Sequence, residues 1–127
     1  MSKEFKMAPF DSMMGIEIID SKPQFAKISL SFQERLSNPY GSLHGGAIST
    51  LVDSAMAIAV LSTYPDNLFY TRRLSIKFIS QVKRGAVFAE AYITEQKKNF
   101  LFGKVLIKNA DNRLIAEALT TFVLNNK

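Results

Sequence analysis

The chain has 127 residues and a mass of 14.2 kDa, which gives one domain, residues 1–127, and leaves no room for a second core. Its 47% hydrophobic and 21% charged residues exclude an intrinsically disordered chain, a collagen and a coiled coil. The formal net charge of +5 and the pI near 9.6 fit a polyanionic partner or a phosphorylated ligand, whereas a basic, solvated surface is the simpler interpretation.

Several classes of site are excluded by residues that the chain lacks. Cysteine is absent, which excludes disulfides, thiolate nucleophiles and Cys-based zinc sites. The single histidine, His44, excludes a multi-histidine metal centre, and we expect no metal. No run of about 18 apolar residues and no signal-peptide pattern is present. We therefore expect a soluble, cytoplasmic protein that does not contact a membrane.

The first half of the chain predicts a small sheet followed by one long helix. A short helical turn is predicted at 9–15, and period-two alternation then predicts two strands separated by a turn at 21–23. After a polar segment at 34–42, apolar residues cover nearly the whole circumference of a helix predicted at 45–62. A helix that is apolar all round is typically buried.

The second half predicts four more strands, at about 68–80, 86–96, 99–109 and 113–124, the last three joined by hairpin-like turns. Consecutive strands with short connections favour an antiparallel sheet. A sheet of about six strands curled around one central helix is the simplest α+β arrangement that buries such a helix. We therefore expect an α+β fold.

Asp53 is the only charged residue in the predicted helix. A buried carboxylate costs several kcal/mol unless it is paired or hydrogen-bonded. Two interpretations stay open. Asp53 either faces solvent in a polar stripe, or it lines a cleft as a carboxylate base or nucleophile. The other members of that stripe are Ser49, Thr50 and Ser54.

The start of this helix carries His44, Gly45 and Gly46. Glycine in a helix costs about 1 kcal/mol relative to alanine, so the pair needs a reason. Uncovered N–H groups at the positive end of a helix suit an oxyanion. A turn that needs glycine dihedral angles is the alternative. His44 by itself is more often a hydrogen-bonded structural residue than a catalyst.

The segment around these residues resembles the signature of hotdog-fold acyl-CoA thioesterases. It is most similar to the phenylacetate-pathway (PaaI-like) branch and its thioesterase superfamily member 2 type, within the 4-hydroxybenzoyl-CoA thioesterase-like superfamily. The matching residues are Asn38-Pro39-Tyr40-Gly41-Ser42-Leu43-His44-Gly45-Gly46 and, two turns into the helix, Asp53. The order of predicted strands matches as well, so the resemblance covers most of the chain. It implies a hotdog fold and hydrolysis of an acyl- or aryl-CoA thioester.

The resemblance also implies roles for five residues. The Gly45 N–H would polarise the thioester carbonyl, and Asn38 would assist at the carbonyl or position water. Asp53 would activate water or attack directly, with Thr71 orienting the water or the acid. His44 would mainly hold the loop. Coenzyme A is part of the substrate, and no separate cofactor is expected.

The basic charge has a candidate use in holding the phosphates of coenzyme A. We expect that role for a group of basic residues that cluster at the ends of the later strands, although a solvated turn is the alternative for each of them. These residues are Arg73, Lys83, Arg84, Lys97 and Lys98. Nucleic-acid binding is disfavoured because no motif accompanies the charge.

The spacing of Gly45 and Asp53 predicts a shared active site. They lie eight residues apart, about 12 Å along a helix, and the lean of the Asp53 side chain shortens this by about 3 Å. An oxyanion donor and a base or nucleophile must both lie within about 3–3.5 Å of the reacting atoms. One chain cannot supply both groups. We therefore expect a homodimer or homotetramer with active sites at the subunit interface.

Two other enzyme classes fit the sequence less well. A Ser-His-Asp hydrolase is disfavoured because Gly-x-Ser-x-Gly is absent and Ser42 lacks the nucleophile-elbow context. A hotdog hydratase would need a histidine on the helix, which has none. The alternative function is a non-catalytic acyl-CoA-binding hotdog module. Catalysis is favoured because the chain has all four residues that the resemblance places at the reacting carbonyl, whereas a protein that only binds acyl-CoA needs no acid in the cleft. These residues are Asn38, Gly45, Asp53 and Thr71.

Overall fold

The computed structural model describes residues 7–125. The elements in chain order are helix α1 (Pro9–Met14), strands β1 (Glu17–Lys22) and β2 (Phe25–Ser31), a 3-10 turn (Glu34–Leu36), helix α2 (Gly45–Thr63), and strands β3 (Leu68–Phe78), β4 (Ala86–Lys97), β5 (Phe100–Asn109) and β6 (Leu114–Asn125). The predicted six strands and single long helix are confirmed, and the bounds differ from the expected ones by a few residues.

The six strands form one antiparallel sheet in the order β1-β2-β4-β5-β6-β3. Strand β3 does not lie beside β4, which follows it in the chain, but at the far edge of the sheet, where it pairs with β6. Helix α2 contacts all six strands. The sheet therefore wraps around the helix, as the expected α+β arrangement requires.

Period-two alternation in the strands directs one apolar row towards α2. The inward residues of the central strands are fully buried and many are small, which lets the helix approach the sheet closely. They include Val87, Ala89, Ala91, Leu101, Val105, Ile107, Ala116 and Phe122. The facing residues of the helix are Leu51, Val52, Ala55, Met56 and Ala59, each at most 1% exposed.

Gly103 of β5 lies where α2 approaches the sheet closely. A Cβ atom at this position would lie 2.7 Å from the Met56 Sδ atom and 2.9 Å from the Tyr92 carbonyl oxygen. Both distances are shorter than ordinary van der Waals contacts. The glycine is therefore required because the helix and the neighbouring strand occupy the space of a side chain.

The burial of α2 is less complete than its sequence predicts. The half-buried residues of α2 form one open face of the helix. They are Ser49, Thr50, Asp53 and Ala57.

Within residues 7–125, α2 is also the one helix long and apolar enough to cross a membrane, with a mean hydropathy of 1.5. Core helices meet the same criterion, and 56% of that stretch is buried in this domain, so it is weak evidence for a membrane span.

A β-bulge in β3 decides which of its residues face the open side of α2. Thr71 pairs with Phe122 and Arg73 with Thr121, so Arg72 is the extra residue. The insertion shifts the alternation by one position. Thr71 therefore faces α2 before the bulge, and Leu74 packs against the core after it.

Candidate active site

His44 caps the amino end of α2 and uses up most of its first-turn donors. The His44 Nδ1 atom accepts from the Gly46 N–H at 2.7 Å, and the His44 carbonyl accepts from Ala47 and Ile48 at 2.9 and 3.2 Å. These bonds hold the loop against the helix. Within residues 7–125, the Gly45 N–H is left without an acceptor at the positive end of the helix, where a developing oxyanion is stabilised.

The two glycines at this end are not explained by unusual dihedral angles, because neither has a positive φ. A Cβ on Gly46 would lie 3.0 Å from the His44 Nδ1 atom that accepts its N–H. A Cβ on Gly45 would meet the Phe78 ring at 3.7 Å. Close approach of the His44 ring therefore accounts for Gly46, whereas a Cβ on Gly45 would make only an ordinary van der Waals contact.

Asn38 organises the loop that precedes the helix. Its Oδ1 atom accepts from the N–H groups of Tyr40 and Ser42 at 2.9 and 3.0 Å, and its own N–H donates to the Ser42 carbonyl at 2.7 Å. The amide oxygen is thus committed to the loop. The side-chain NH₂ group remains as a donor, which is the group able to assist at a carbonyl or hold a water molecule.

Asp53 and Thr71 meet at the open face of α2. The Thr71 hydroxyl donates to the Asp53 Oδ1 atom at 2.6 Å. Asp53 also lines a cavity of about 440 Å³ with Thr50, Ala57 and Leu74. Among the described residues no donor reaches the Asp53 Oδ2 atom, so this oxygen is able to take a proton from water or to attack a carbonyl.

The two interpretations of Asp53 therefore combine, because the polar stripe of α2 is one wall of a cavity. Ser54 departs from the expectation that it belongs to that exposed stripe. It is buried, and its hydroxyl donates to the Asp11 Oδ1 atom of α1 at 2.7 Å. Sequence reasoning missed Asp11, whose signal was an acid within a short, largely apolar helix.

The structure divides the candidate catalytic residues into two groups on each chain. Asn38, His44 and Gly45 lie at the amino end of α2, and Asp53 and Thr71 lie two turns further along. The helix is uninterrupted between Gly45 and Asp53, so the separation of about 12 Å holds. One chain does not bring the two groups onto a single carbonyl.

The basic residues do not form the single cluster that we expected. Lys83 and Arg84 precede β4 and line a cavity of about 680 Å³, whereas Lys97 is the last residue of β4 and Lys98 follows it in the turn. These pairs therefore lie at opposite ends of β4, about 40 Å apart along the strand. Arg73 lies on β3 and lines another cavity beside Glu95. Lys97 is also engaged, 3.6 Å from the Glu95 carboxylate.

Comparison with known proteins identifies the family. A family model described as the thioesterase superfamily matches residues 40–116, which include α2 and β3 to β5. The chain belongs to the thioesterase superfamily. It is a thioester hydrolase, as the resemblance at the start of α2 indicated.

The chain is similar to two curated proteins in sequence and to one solved structure in fold. Acyl-coenzyme A thioesterase 13 of Mus musculus is 29% identical, over 99% of this chain and 92% of its own length. A 1,4-dihydroxy-2-naphthoyl-CoA hydrolase of Listeria monocytogenes is 25% identical, over 90% and 94%. The structure of the E. coli PaaI protein, from the phenylacetic acid degradation operon, is 22% identical with a TM-score of 0.88, covering 94% of this chain and 86% of that one. The expected hotdog fold is thereby confirmed.

Proposed function

We propose that this thioesterase hydrolyses acyl-CoA thioesters to a free acid and coenzyme A. The similarity to relatives named for acyl-CoA and naphthoyl-CoA substrates supports the CoA thioester as the substrate class. The observation that carries the proposal is the position of Asp53 and its hydrogen bonding. It lines a cavity, has one oxygen fixed by Thr71 and keeps the other oxygen open.

Two chemical routes fit this carboxylate. In the first, Asp53 takes a proton from water as the water oxygen bonds to the thioester carbon; the carbon–sulfur bond then breaks, and Asp53 returns the proton to the sulfur so that CoA leaves as a thiol. In the second, Asp53 itself attacks, expels the CoA thiolate and forms an anhydride that water then hydrolyses. In both routes Thr71 holds the carboxylate in place, because its hydroxyl donates a hydrogen bond to the Asp53 Oδ1 atom.

The negative charge that develops on the carbonyl oxygen needs donors, and the amino end of α2 provides them. The Gly45 N–H has no acceptor within residues 7–125 and lies where the helix dipole favours an anion. The Asn38 side-chain NH₂ group is the second donor of that loop, because its oxygen is held by Tyr40 and Ser42. Removing one such donor typically costs about 10²-fold or more in kcat.

The donors and the carboxylate would come together in a homodimer or homotetramer. Support comes from β3, an edge strand of 11 residues whose outer side has no partner strand in the described chain. It exposes Leu68, Tyr70 and Phe78, each at least half accessible. A long, apolar edge strand is a template for pairing with a second chain. We propose that two copies pair along β3 and exchange the two halves of the active site.

The divided basic residues fit the same assembly. Lys83 and Arg84 lie near the Gly45 end of the molecule, since the Leu43 N–H donates to the Val82 carbonyl at 2.7 Å. Lys97 and Lys98 lie near the Thr71 end, since Lys97 pairs with Phe100, whose ring is 5.5 Å from the Arg72 guanidinium. A site built from the Gly45 end of one copy and the Asp53 end of another would have basic residues on both sides for the phosphates of CoA.

Release of free thiol from a panel of straight-chain and aryl acyl-CoAs tests the proposed function. We expect turnover of at least part of the panel by the purified chain and its loss in Asp53→Asn. Turnover should survive dialysis against a chelator, because no metal or separate cofactor is proposed. A folded chain that hydrolyses none of these thioesters would refute the proposal. The cytoplasmic location remains a prediction.

A further inference from the structure

We infer that the groove between α1 and the amino end of α2 is the acyl-chain subsite of this enzyme, and that it takes a flexible, uncharged aliphatic acyl group. This inference rests on the proposed acyl-CoA hydrolysis. It concerns the hydrocarbon part of the acyl group, which the candidate catalytic residues do not select. The groove has a volume of about 320 Å³. That volume is at the lower end of the ~300–1,000 Å³ of ligand pockets.

The lining of the groove is suited to a hydrocarbon. Its apolar walls come from α1, the 3-10 turn and α2, and they consist of Phe10, Met13, Met14, Leu36 and Ala47. Phe10 and Met13 are 55% and 58% exposed, although most large apolar residues of this domain are buried. Methionine is unbranched and adapts to varied shapes. Such walls favour a flexible chain over a rigid ring.

The charge of the groove also selects its occupant. Within residues 7–125, no acidic side chain lines the groove, and the one charged group in its lining is the Arg35 guanidinium. That guanidinium already donates to the Met13 carbonyl at 2.7 Å and to the Gln33 Oε1 atom at 2.8 Å. The arginine thus braces the rim of the groove. A neutral acyl chain therefore fits this lining.

The groove adjoins the cavity that Asp53 lines. Phe10 and Thr50 line both spaces, and Thr50 lies one helical turn before Asp53 on α2. An acyl group whose carbonyl carbon is next to Asp53 would therefore extend past Phe10 into the groove. The same protein subunit would therefore hold both the apolar end of the substrate and the carbonyl carbon that reacts.

Three hydrogen bonds from separate parts of the chain hold α1 in place, which makes the groove a preformed feature. Ser54 of α2 donates to the Asp11 carboxylate at 2.7 Å, and Gln33 and Arg35 donate to the Met14 and Met13 carbonyls at 2.8 and 2.7 Å. A wall that is already ordered does not lose conformational entropy when the chain binds.

The test uses S-alkyl-CoA thioethers of increasing length, which bind without being hydrolysed. For the full chain, calorimetry should show Kd falling about fourfold per added methylene until the groove is full. Met13→Trp should end this fall at a shorter chain, and Phe10→Ala should flatten it. Ile19→Trp on β1, at a residue 52% exposed and outside the groove, is the matched control and should leave the series unchanged.

Each outcome bears on a different statement. A Kd that does not depend on chain length, or a Met13→Trp series identical to the wild-type series, would overturn the subsite. Sedimentation of Met13→Trp is run in parallel, because a change in oligomeric state with an unchanged series would make the groove a contact between copies of this chain. A Kd that depends on chain length, without thioester turnover, would refute the proposed hydrolysis and support the acyl-chain subsite. Turnover without length dependence would refute the subsite and support the hydrolysis.

Discussion

The Thr71 hydroxyl and the Asp53 carboxylate are 2.6 Å apart and join the edge strand β3 to the central helix. The bond exists because the bulge at Arg72 resets the alternation of β3, so Thr71 and Leu74 both face α2. It fixes one carboxylate oxygen and orients the other towards the cavity beside α2. The chemistry that we propose depends on this pair of residues.

Replacing Asp53 by asparagine keeps the shape of the side chain and removes its ability to accept a proton or attack. We expect kcat to fall by at least about 10²-fold while acyl-CoA binding is retained. Asp20→Asn, an exposed carboxylate of β1, is the matched control. If Asp53 had only a structural role, stability would be unchanged or improved and turnover would persist, so kcat and the thermal midpoint are measured together.

The Thr71 hydroxyl should act through Asp53. Thr71→Val removes the donor at nearly constant volume, and we expect kcat to fall by about tenfold, as for the loss of one hydrogen bond to a charged group. Thr71→Ser retains the hydroxyl and should restore most of the turnover. Equal turnover of the valine and serine variants would contradict a positioning role.

The shared active site predicts complementation between two inactive variants. Asp53→Asn lacks the carboxylate and Asn38→Ala lacks a donor at the other half of the site. Because each mixed dimer would contain one site with both wild-type halves, mixing and re-equilibrating the two variants should recover part of the activity. Sedimentation of the wild-type chain should show a dimer or a dimer of dimers. An active monomer, or a mixture as inactive as its components, would exclude the shared site.

The basic residues should bind the phosphates of CoA and take no part in the chemical step. Lys83→Ala and Lys97→Ala should each raise KM with kcat nearly unchanged, which is the signature of lost uniform binding. Rising salt should raise KM in the same direction. Lys104→Ala, an exposed lysine of β5, removes the same charge elsewhere and serves as the control. A KM for CoA thioesters equal to that for pantetheine thioesters would show that the enzyme does not bind the phosphates of CoA.

Gly103 should be intolerant of a side chain. Gly103→Ala places a methyl group against Met56 and the Tyr92 carbonyl oxygen, and overpacking of this kind costs about 1–3 kcal/mol of unfolding free energy. Chemical denaturation measures the loss. The double variant Gly103→Ala/Met56→Ala should be less destabilised than the sum of its single changes, because the methyl group then occupies space that Met56 vacates. Strict additivity would mean that the two residues are not in competition.

The strand order shows where sequence information ends. Alternation within each strand and the apolar residues around α2 are local signals, so the elements and the α+β class follow from the sequence alone. The position of β3 beside β6 does not, because pairing across the sheet depends on contacts between residues far apart in the chain. The sequence likewise contains Arg72 but no local sign that it is a bulge.

The candidate site divides in the same way. The segment at 38–53 carries its motif within one short stretch, so the superfamily and the candidates Asn38, His44, Gly45 and Asp53 could be predicted from it. Thr71 lies outside this segment, and its contact with Asp53 depends on the bulge in β3. The burial of Ser54 and its bond to Asp11, 43 positions away, depend on how α1 packs against α2. The sequence predicts a cluster of basic residues at the ends of the later strands, yet two pairs of them lie at opposite ends of β4. Local pattern determines what each segment is, whereas only long-range packing decides which side chains share a cavity.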